Sequence, residues 1–163
     1  MARKQRTDPR FPLKKNAPSF VYEILTGETK ALAGRDANHQ QKMWRGIAVD
    51  AHIPTPALDG LNRIVEIEMR ASCEGSGPER PTFIIFRFRT PITPDEINRF
   101  VKGINSFDDI YCGADIGNLG AFRVGVTTPL WYQKDPGQFN QWWLTLPTKI
   151  NIVLAVIQTL DNA

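Results

Sequence analysis

Two stretches of the chain have the two-residue period of a β-strand with one apolar face. In residues 64–73 the odd positions are apolar and the even ones are mostly charged, which is the period of a β-strand with one face against a core. In residues 82–90 Ile84, Phe86 and Phe88 share one face, opposite Phe83, Ile85, Arg87 and Arg89. The apolar positions predicted to share the core face are Val65, Ile67, Met69, Ala71 and Cys73 in the first strand and Ile84, Phe86 and Phe88 in the second.

The two predicted strands also define their own register. Side-chain faces must agree across an antiparallel pair, and this condition leaves one apolar face and one face of opposite charges. Such charge pairs contribute a few tenths of a kcal/mol each. We therefore interpret the arginines as structural; the alternative is that they contact phosphates on an exposed sheet face. The predicted pairs are Glu66–Arg89, Ile67–Phe88, Glu68–Arg87 and Met69–Phe86.

Two helices are predicted. Thr93, Pro94 and Glu96 form a capping box with proline at the first helical position, so a helix should begin there. Its core stripe would be Ile97, Phe100, Val101 and Ile104. The second helix should cover residues 148–160, which contain no glycine or proline. A strand over residues 150–157 is the alternative there.

The remaining elements are shorter. Residues 19–25 and 29–33 predict a hairpin, residues 34–43 a loop or short helix, and residues 44–53 a third strand. Residues 109–116 and 120–128 predict two more strands around a glycine-rich connection. The fold class is therefore α+β: a mostly antiparallel sheet of about six or seven strands, with two helices on one face.

Charge divides the chain into a basic arm, residues 1–18, and a single domain, residues 19–163. The first fifteen residues carry about +5, whereas the rest holds fourteen bases against sixteen acids. Three prolines rule out a continuous helix, so the arm should be disordered or extended. It is a solvated terminus, a polyanion-binding arm or an arm exchanged between subunits. Its bases are Arg3, Lys4, Arg6, Arg10, Lys14 and Lys15.

Composition restricts the class of protein. A length of 163 residues with 42% hydrophobic and 23% charged residues is typical of one soluble domain. The two cysteines have neither disulfide-framework nor metal-ligand spacing. We see no signal peptide and no apolar run long enough to span a membrane. We expect a cytoplasmic protein with no cofactor.

No catalytic motif is found. Asp50 alternates with His52 on one face of the predicted third strand, but no serine or cysteine stands in a nucleophile context. The glycines at 113, 117 and 120 predict a turn rather than a phosphate loop. An acidic set leaves a small metal-dependent hydrolase as a third possibility. That set comprises Glu66, Glu68, Asp108, Asp109 and Asp115.

Five aromatic side chains crowd one stretch near the C-terminal helix, with Lys134 as its single base. Stacking on unpaired bases requires exposed rings beside cations, and this stretch has few cations. We therefore predict that the rings pack in the core or form an oligomer interface. They are Trp131, Tyr132, Phe139, Trp142 and Trp143.

Two local patterns resemble a known family. Pro56, Ala57 and Leu58 lead into the strand near Arg63, and residues 86–90 lead into the helix at Thr93. In these segments, and in its order of hairpin, strand pairs and late helix, the chain resembles coat proteins of single-stranded RNA bacteriophages. The resemblance implies a dimer whose sheet face binds RNA and which assembles into a shell. Residues 106–163 and the basic arm have no counterpart in it.

The leading functional prediction is a non-enzymatic protein that binds RNA or single-stranded DNA without sequence preference and forms a homo-oligomer. The alternative is a self-assembling coat protein located in a virion. Besides the six bases of the arm, the predicted nucleic-acid contacts are Arg35, Lys42 and Arg45.

Overall fold

The computed structural model describes residues 39–89, 91–116 and 122–161. The arm, Arg35 and the predicted hairpin of residues 19–33 lie outside this part of the chain. Within it the elements are β1 (Gln41–Trp44), β2 (Ile47–Asp50), α1 (Thr55–Asn62), β3 (Ile67–Cys73), β4 (Phe83–Phe88), α2 (Pro94–Asn105), β5 (Tyr111–Ile116), β6 (Phe122–Thr127) and α3 (Pro136–Asp161).

The predicted α+β class is confirmed. All strand pairs are antiparallel, in a two-stranded sheet β1–β2 and a four-stranded sheet of order β3–β4–β6–β5. Three helices are present in the described residues, one more than predicted. None of the three is both long and apolar enough to cross a membrane.

β1 and β2 form a tight hairpin where the sequence predicted a single strand over residues 44–53. Arg45 and Gly46 are its two turn residues, and both have positive φ, of 50° and 77°. Two successive positive φ values fit the twist of a two-residue hairpin. The predicted strand is therefore wrong because the chain reverses within it.

The predicted register of β3 and β4 is confirmed over three successive pairs, Ile67–Phe88, Glu68–Arg87 and Met69–Phe86. Arg87 Nε donates to Glu68 Oε2 at 2.7 Å. The predicted ion pair of Glu66 with Arg89 does not form, because Arg89 Nε donates instead to the carbonyl of Ile67, at 3.0 Å. The backbone amide of Arg89 nevertheless donates to the carbonyl of Glu66, as that register requires.

A β-bulge between Met69 and Ala71 reverses the faces of the second half of β3. Beyond it Ala71 lies opposite Ile85 and Cys73 lies opposite Phe83. The expectation that Ala71 and Cys73 share the core face with Ile67 is therefore wrong, because one extra residue changes the side to which each following side chain points.

α1 was not predicted because Pro54 and Pro56 resemble strand terminators. Proline is favoured in the first turn of a helix, where its missing amide would lack an intrahelical acceptor anyway. Pro54 is the N-cap here, and a proline occupies the first turn. The helix buries an apolar stripe of Ala57, Leu58 and Leu61.

α2 has the predicted capping box. Thr93 Oγ1 accepts from the Glu96 amide, and Glu96 Oε1 accepts from the Thr93 amide, both at 3.1 Å. The predicted stripe is fully buried. α3 is confirmed as a helix but begins at Pro136 rather than at residue 148, and it contains Pro147.

The helices cover one face of the four-stranded sheet. Side chains from all three join the inner strand residues in one large core cluster. Phe100 of α2 meets Phe86 edge to face, with ring centroids 5.9 Å apart. On the opposite face Phe83 and Ile85 are also buried and form a small second cluster with Ala71 and Cys73.

Candidate functional site

The hairpin and β3 meet in a polar corner. The Ala51 amide donates to the carbonyl of Gln40 at 2.8 Å, which extends the hairpin ladder and brings residue 39 beside Asp50. The amide of Glu74, just after β3, donates to Asp50 Oδ2 at 2.9 Å. Three distant parts of the sequence therefore converge on the Asp50 carboxylate.

Three different donor atoms face one another in this corner. His39 Nδ1 lies 3.1 Å from Asp50 Oδ2 and 3.9 Å from Cys73 Sγ. All three atoms lie within 4.8 Å of one another, and no other group of three or more His, Cys, Asp or Glu ligand atoms this close occurs in the described residues. Asp50 is buried, and the other two side chains are half-buried.

Two backbone amides orient these donors. Besides the Glu74 amide on Asp50, the Gly75 amide donates to Cys73 Sγ, at 3.4 Å. Gly75 has φ of 82°, and a Cβ there would lie 2.7 Å from the Thr82 nitrogen. Only glycine fits this position without strain, so the turn that aims the amide at the sulfur depends on it.

The arrangement is not a catalytic relay. In a nucleophile–His–Asp triad, one ring nitrogen takes the proton of the nucleophile and the other is bound to the carboxylate. Here the thiol and the carboxylate of Asp50 both face His39 Nδ1. The three atoms converge on a common point instead.

A second histidine–carboxylate pair adjoins the first. His52 Nδ1 lies 2.9 Å from Glu74 Oε2, and its ring stacks on Tyr132 with centroids 3.7 Å apart. The prediction that Asp50 and His52 share one face of a strand is wrong, because β2 ends at Asp50 and residues 51 and 52 form a turn. Glu74 Oε1 is buried and has no hydrogen-bond partner among the described residues.

Three members of the acidic set considered for a hydrolase, Glu66, Glu68 and Asp109, do not come together. Glu68 is bonded to Arg87, Asp109 to Lys149 Nζ at 3.1 Å and Glu66 to Gln158 at 3.1 Å. These carboxylates belong to separate hydrogen bonds on separate elements, so the described part of the chain gives no cluster for a divalent ion there.

Two of the predicted nucleic-acid contacts lie on the hairpin. Lys42 Nζ donates to the carbonyl of Ile53, and Arg45 Nε lies 3.7 Å from Asp59 Oδ1. Both cations therefore already have a partner in the protein, although the Arg45 side chain is 58% exposed. The other seven, the bases of the arm and Arg35, fall outside the described residues.

The aromatic stretch divides into core and surface. Phe139, Trp142 and Trp143 are 0–3% exposed and fill the core of the chain itself, which is the packing alternative. They have almost no surface left for a second subunit. Trp131 and Tyr132 are half-buried.

Neither a protein-family model, nor a curated protein sequence, nor a solved structure matches this chain. Sequence reasoning missed the corner of His39, Asp50 and Cys73, because the ligand pairs are separated by 11 and 34 positions. A recognised turn at Arg45 and Gly46 would have paired Gln41 with Asp50 and so placed His39 near that carboxylate.

Proposed function

We propose that this chain is a non-enzymatic nucleic-acid-binding protein whose basic arm contacts phosphates without reading sequence. The observation that carries the proposal is the charge partition. Six of the twenty bases stand in the first fifteen residues with Asp8 as the single acid, whereas residues 39–161 hold twelve bases against thirteen acids. A segment so enriched in cations favours a polyanionic partner.

Contacts within the described domain support the proposal, because several of its cations are already paired with carboxylates. On the sheet, Arg87 and Arg70 both lie on the Glu68 carboxylate, at 2.7 and 3.4 Å. On the helix layer, Lys149 lies on Asp109 at 3.1 Å. Paired carboxylates cancel the local potential, so these cations contribute little to phosphate attraction. The arm is the better candidate for the phosphate contacts.

Binding through such an arm has a defined salt dependence. Each phosphate neutralised releases condensed counterions, so the logarithm of the association constant falls with the logarithm of salt concentration. For single strands the slope is about −0.7 per contact, and six engaged bases predict a slope of roughly −4. Affinity should be similar for unrelated sequences, because phosphate contacts carry no sequence information.

The test compares the full chain with two variants, one lacking residues 1–17 and one with the six bases of the arm replaced by glutamine. Fluorescence anisotropy with labelled single-stranded RNA and DNA, over a range of salt concentrations, gives affinity and slope. We expect both variants to lose at least tenfold in affinity and most of the slope. The matched control is Arg87→Gln, which should leave both nearly unchanged.

Unchanged affinity after removal of residues 1–17 would contradict the proposal. Light scattering of the purified full chain, with absorbance at 260 and 280 nm, distinguishes the alternative assembly. A particle of many subunits with co-purified nucleic acid would favour a coat protein, whereas a small oligomer favours a binding protein. In both cases the arm supplies the phosphate contacts.

A further inference from the structure

We propose that His39, Asp50 and Cys73 bind a zinc ion, which joins the β1–β2 hairpin to the end of β3. The three donor atoms already converge, and they differ in chemistry: an imidazole nitrogen, a carboxylate oxygen and a sulfur. This site is independent of the proposed nucleic-acid binding, since none of its ligands belongs to the arm.

The distances suit a tetrahedral ion. Zinc binds nitrogen and oxygen at about 2.0–2.2 Å and sulfur at about 2.3 Å, so tetrahedral ligands are separated by about 3.3–3.7 Å. His39 Nδ1 lies 3.1 Å from the Asp50 oxygen and 3.9 Å from the Cys73 sulfur, on either side of that range. The Asp50 oxygen and the Cys73 sulfur lie within 4.8 Å of each other, so rearrangements of up to about 1 Å would complete the geometry.

The donor set selects the class of metal. Magnesium and calcium take oxygen ligands, and a site with one thiolate and one imidazole offers them a single carboxylate. Zinc accepts nitrogen, oxygen and sulfur together. Three protein ligands leave a fourth position for water or another molecule.

The surroundings resemble those of a supported metal site. The Glu74 amide donates to the Asp50 carboxylate, and the Gly75 amide donates to the Cys73 sulfur. Such outer contacts fix ligand orientation and stabilise the charged ligand forms. The carboxylate of Asp50 itself is buried. Buried negative charge is costly unless a cation is near, and zinc would supply one.

The experiment uses the full chain after treatment with a chelator and without nucleic acid. Zinc binding is measured by calorimetry, and cobalt is used as a spectroscopic probe, because a cysteine ligand gives a sulfur-to-cobalt charge-transfer band. The ligand variants are Cys73→Ser, His39→Gln and Asp50→Asn. The chain contains one further cysteine and one further histidine, which provide the controls Cys112→Ala and His52→Gln.

We expect one equivalent of zinc, an upward shift of the melting temperature by several degrees and a sulfur-to-cobalt band. Cys73→Ser should abolish the band and lower affinity at least tenfold, whereas Cys112→Ala should keep both. Absence of zinc binding to the full chain, or a cobalt spectrum identical in Cys73→Ser, would overturn the proposal.

A measurement on the unaltered chain keeps the test decisive if a variant does not fold. Alkylation of the two cysteines is followed by mass spectrometry with and without zinc. Protection of Cys73 by zinc supports the site, and equal reactivity contradicts it. Cys112 is 1% exposed and should stay unreactive in both conditions, which reports that the fold is intact.

Discussion

Glu68 is the charged residue whose environment the sheet changes most clearly. Its carboxylate accepts a hydrogen bond from Arg87 at 2.7 Å, with Arg70 also in contact. The hydrogen bond from Arg87 is the largest cause of a pKa lowered below the usual range for glutamate, and nearby positive charge adds to it. The folded state therefore holds this group in its charged form.

The sign of the resulting pH dependence follows directly. A carboxyl whose pKa is lower in the folded state stabilises the fold above its unfolded pKa, about 4.3, and this contribution is lost as the pH falls through the folded value. Glu68→Gln should therefore reduce the free energy of unfolding at pH 7. The deficit relative to the unaltered chain should shrink as the pH falls below about 4.

Urea unfolding at pH 7 and at a pH below about 4 measures this difference in stability. The difference should be modest, because the Glu68–Arg87 pair is partly exposed. Glu79→Gln is the matched control, because Glu79 is exposed on the loop between β3 and β4. An equal loss of stability at both pH values would show that Glu68 acts through packing and not through its charge.

Between elements, α2 and α3 pack closely against each other at Gly103. A Cβ at Gly103 of α2 would lie 2.7 Å from Val153 Cγ1 of α3. Valine has a stiff side chain, so it cannot rotate away at low cost. Glycine here allows the two helices to approach each other.

Gly103→Ala should destabilise the protein. Alanine favours the helix by up to about 1 kcal/mol, but overpacking a core contact costs about 1–3 kcal/mol, so a net loss of about 1 kcal/mol is expected. Gly137→Ala is the control: its Cβ would lie 3.6 Å from the nearest atom, and it should be neutral or stabilising. Thermal or urea unfolding measures both variants.

The double variant Gly103→Ala, Val153→Ala distinguishes a clash from a change in the backbone. If the clash is the cause, the loss in the double variant should be smaller than the sum of the two single losses. Strict additivity would mean that Gly103 matters for another reason.

Some elements were predictable from sequence because their signals are local. The capping box at Thr93 and the alternation in β3 and β4 depend on neighbouring residues, and both were found. Prolines caused the errors in the two mispredicted helices, α1 and α3. Pro147 lies inside α3, where a sequence pattern predicts a break. A Cβ at Gly60 of α1 would lie 3.0 Å from its ring, so tertiary packing accommodates it.

At the scale of the whole described molecule, one large core cluster joins the β1–β2 hairpin, the four-stranded sheet and all three helices. It contains Trp44 of β1, Leu58 of α1 and Trp143 of α3. Trp143 also donates from Nε1 to Thr82 Oγ1, at 3.0 Å, and that hydroxyl donates to the carbonyl of Cys73 at 2.6 Å. Helix, sheet and polar corner are thus connected through consecutive contacts.

One large core cluster that includes side chains of all three helices predicts cooperative unfolding. Tryptophan fluorescence and far-ultraviolet circular dichroism should give coincident transitions in urea. Trp143→Phe keeps most of the ring volume but leaves Thr82 Oγ1 without its donor, which should cost about 1–3 kcal/mol. Both probes should shift together in that variant. A fluorescence transition that precedes the loss of helix would show instead that the layers unfold separately.

The candidate metal site could not be predicted, for reasons of topology. His39, Asp50 and Cys73 occur on three different strands or strand ends, and no sequence spacing links them. The alternation of β3 also placed Cys73 on the helix-covered face. Only the bulge, which has no clear sequence signal, brings its sulfur to the opposite side.

Because of that bulge, the number of residues between Met69 and Cys73, and not their identity, determines on which face of the sheet Cys73 lies. Between Met69 and Cys73 the chain carries one residue more than a regular ladder needs. An in-frame loss of one codon there would restore a regular strand and leave the cysteine on its present side. A loss of two codons would turn it toward the helices. We therefore expect this segment to tolerate point substitutions, or loss of its one extra residue, more readily than a loss of two residues.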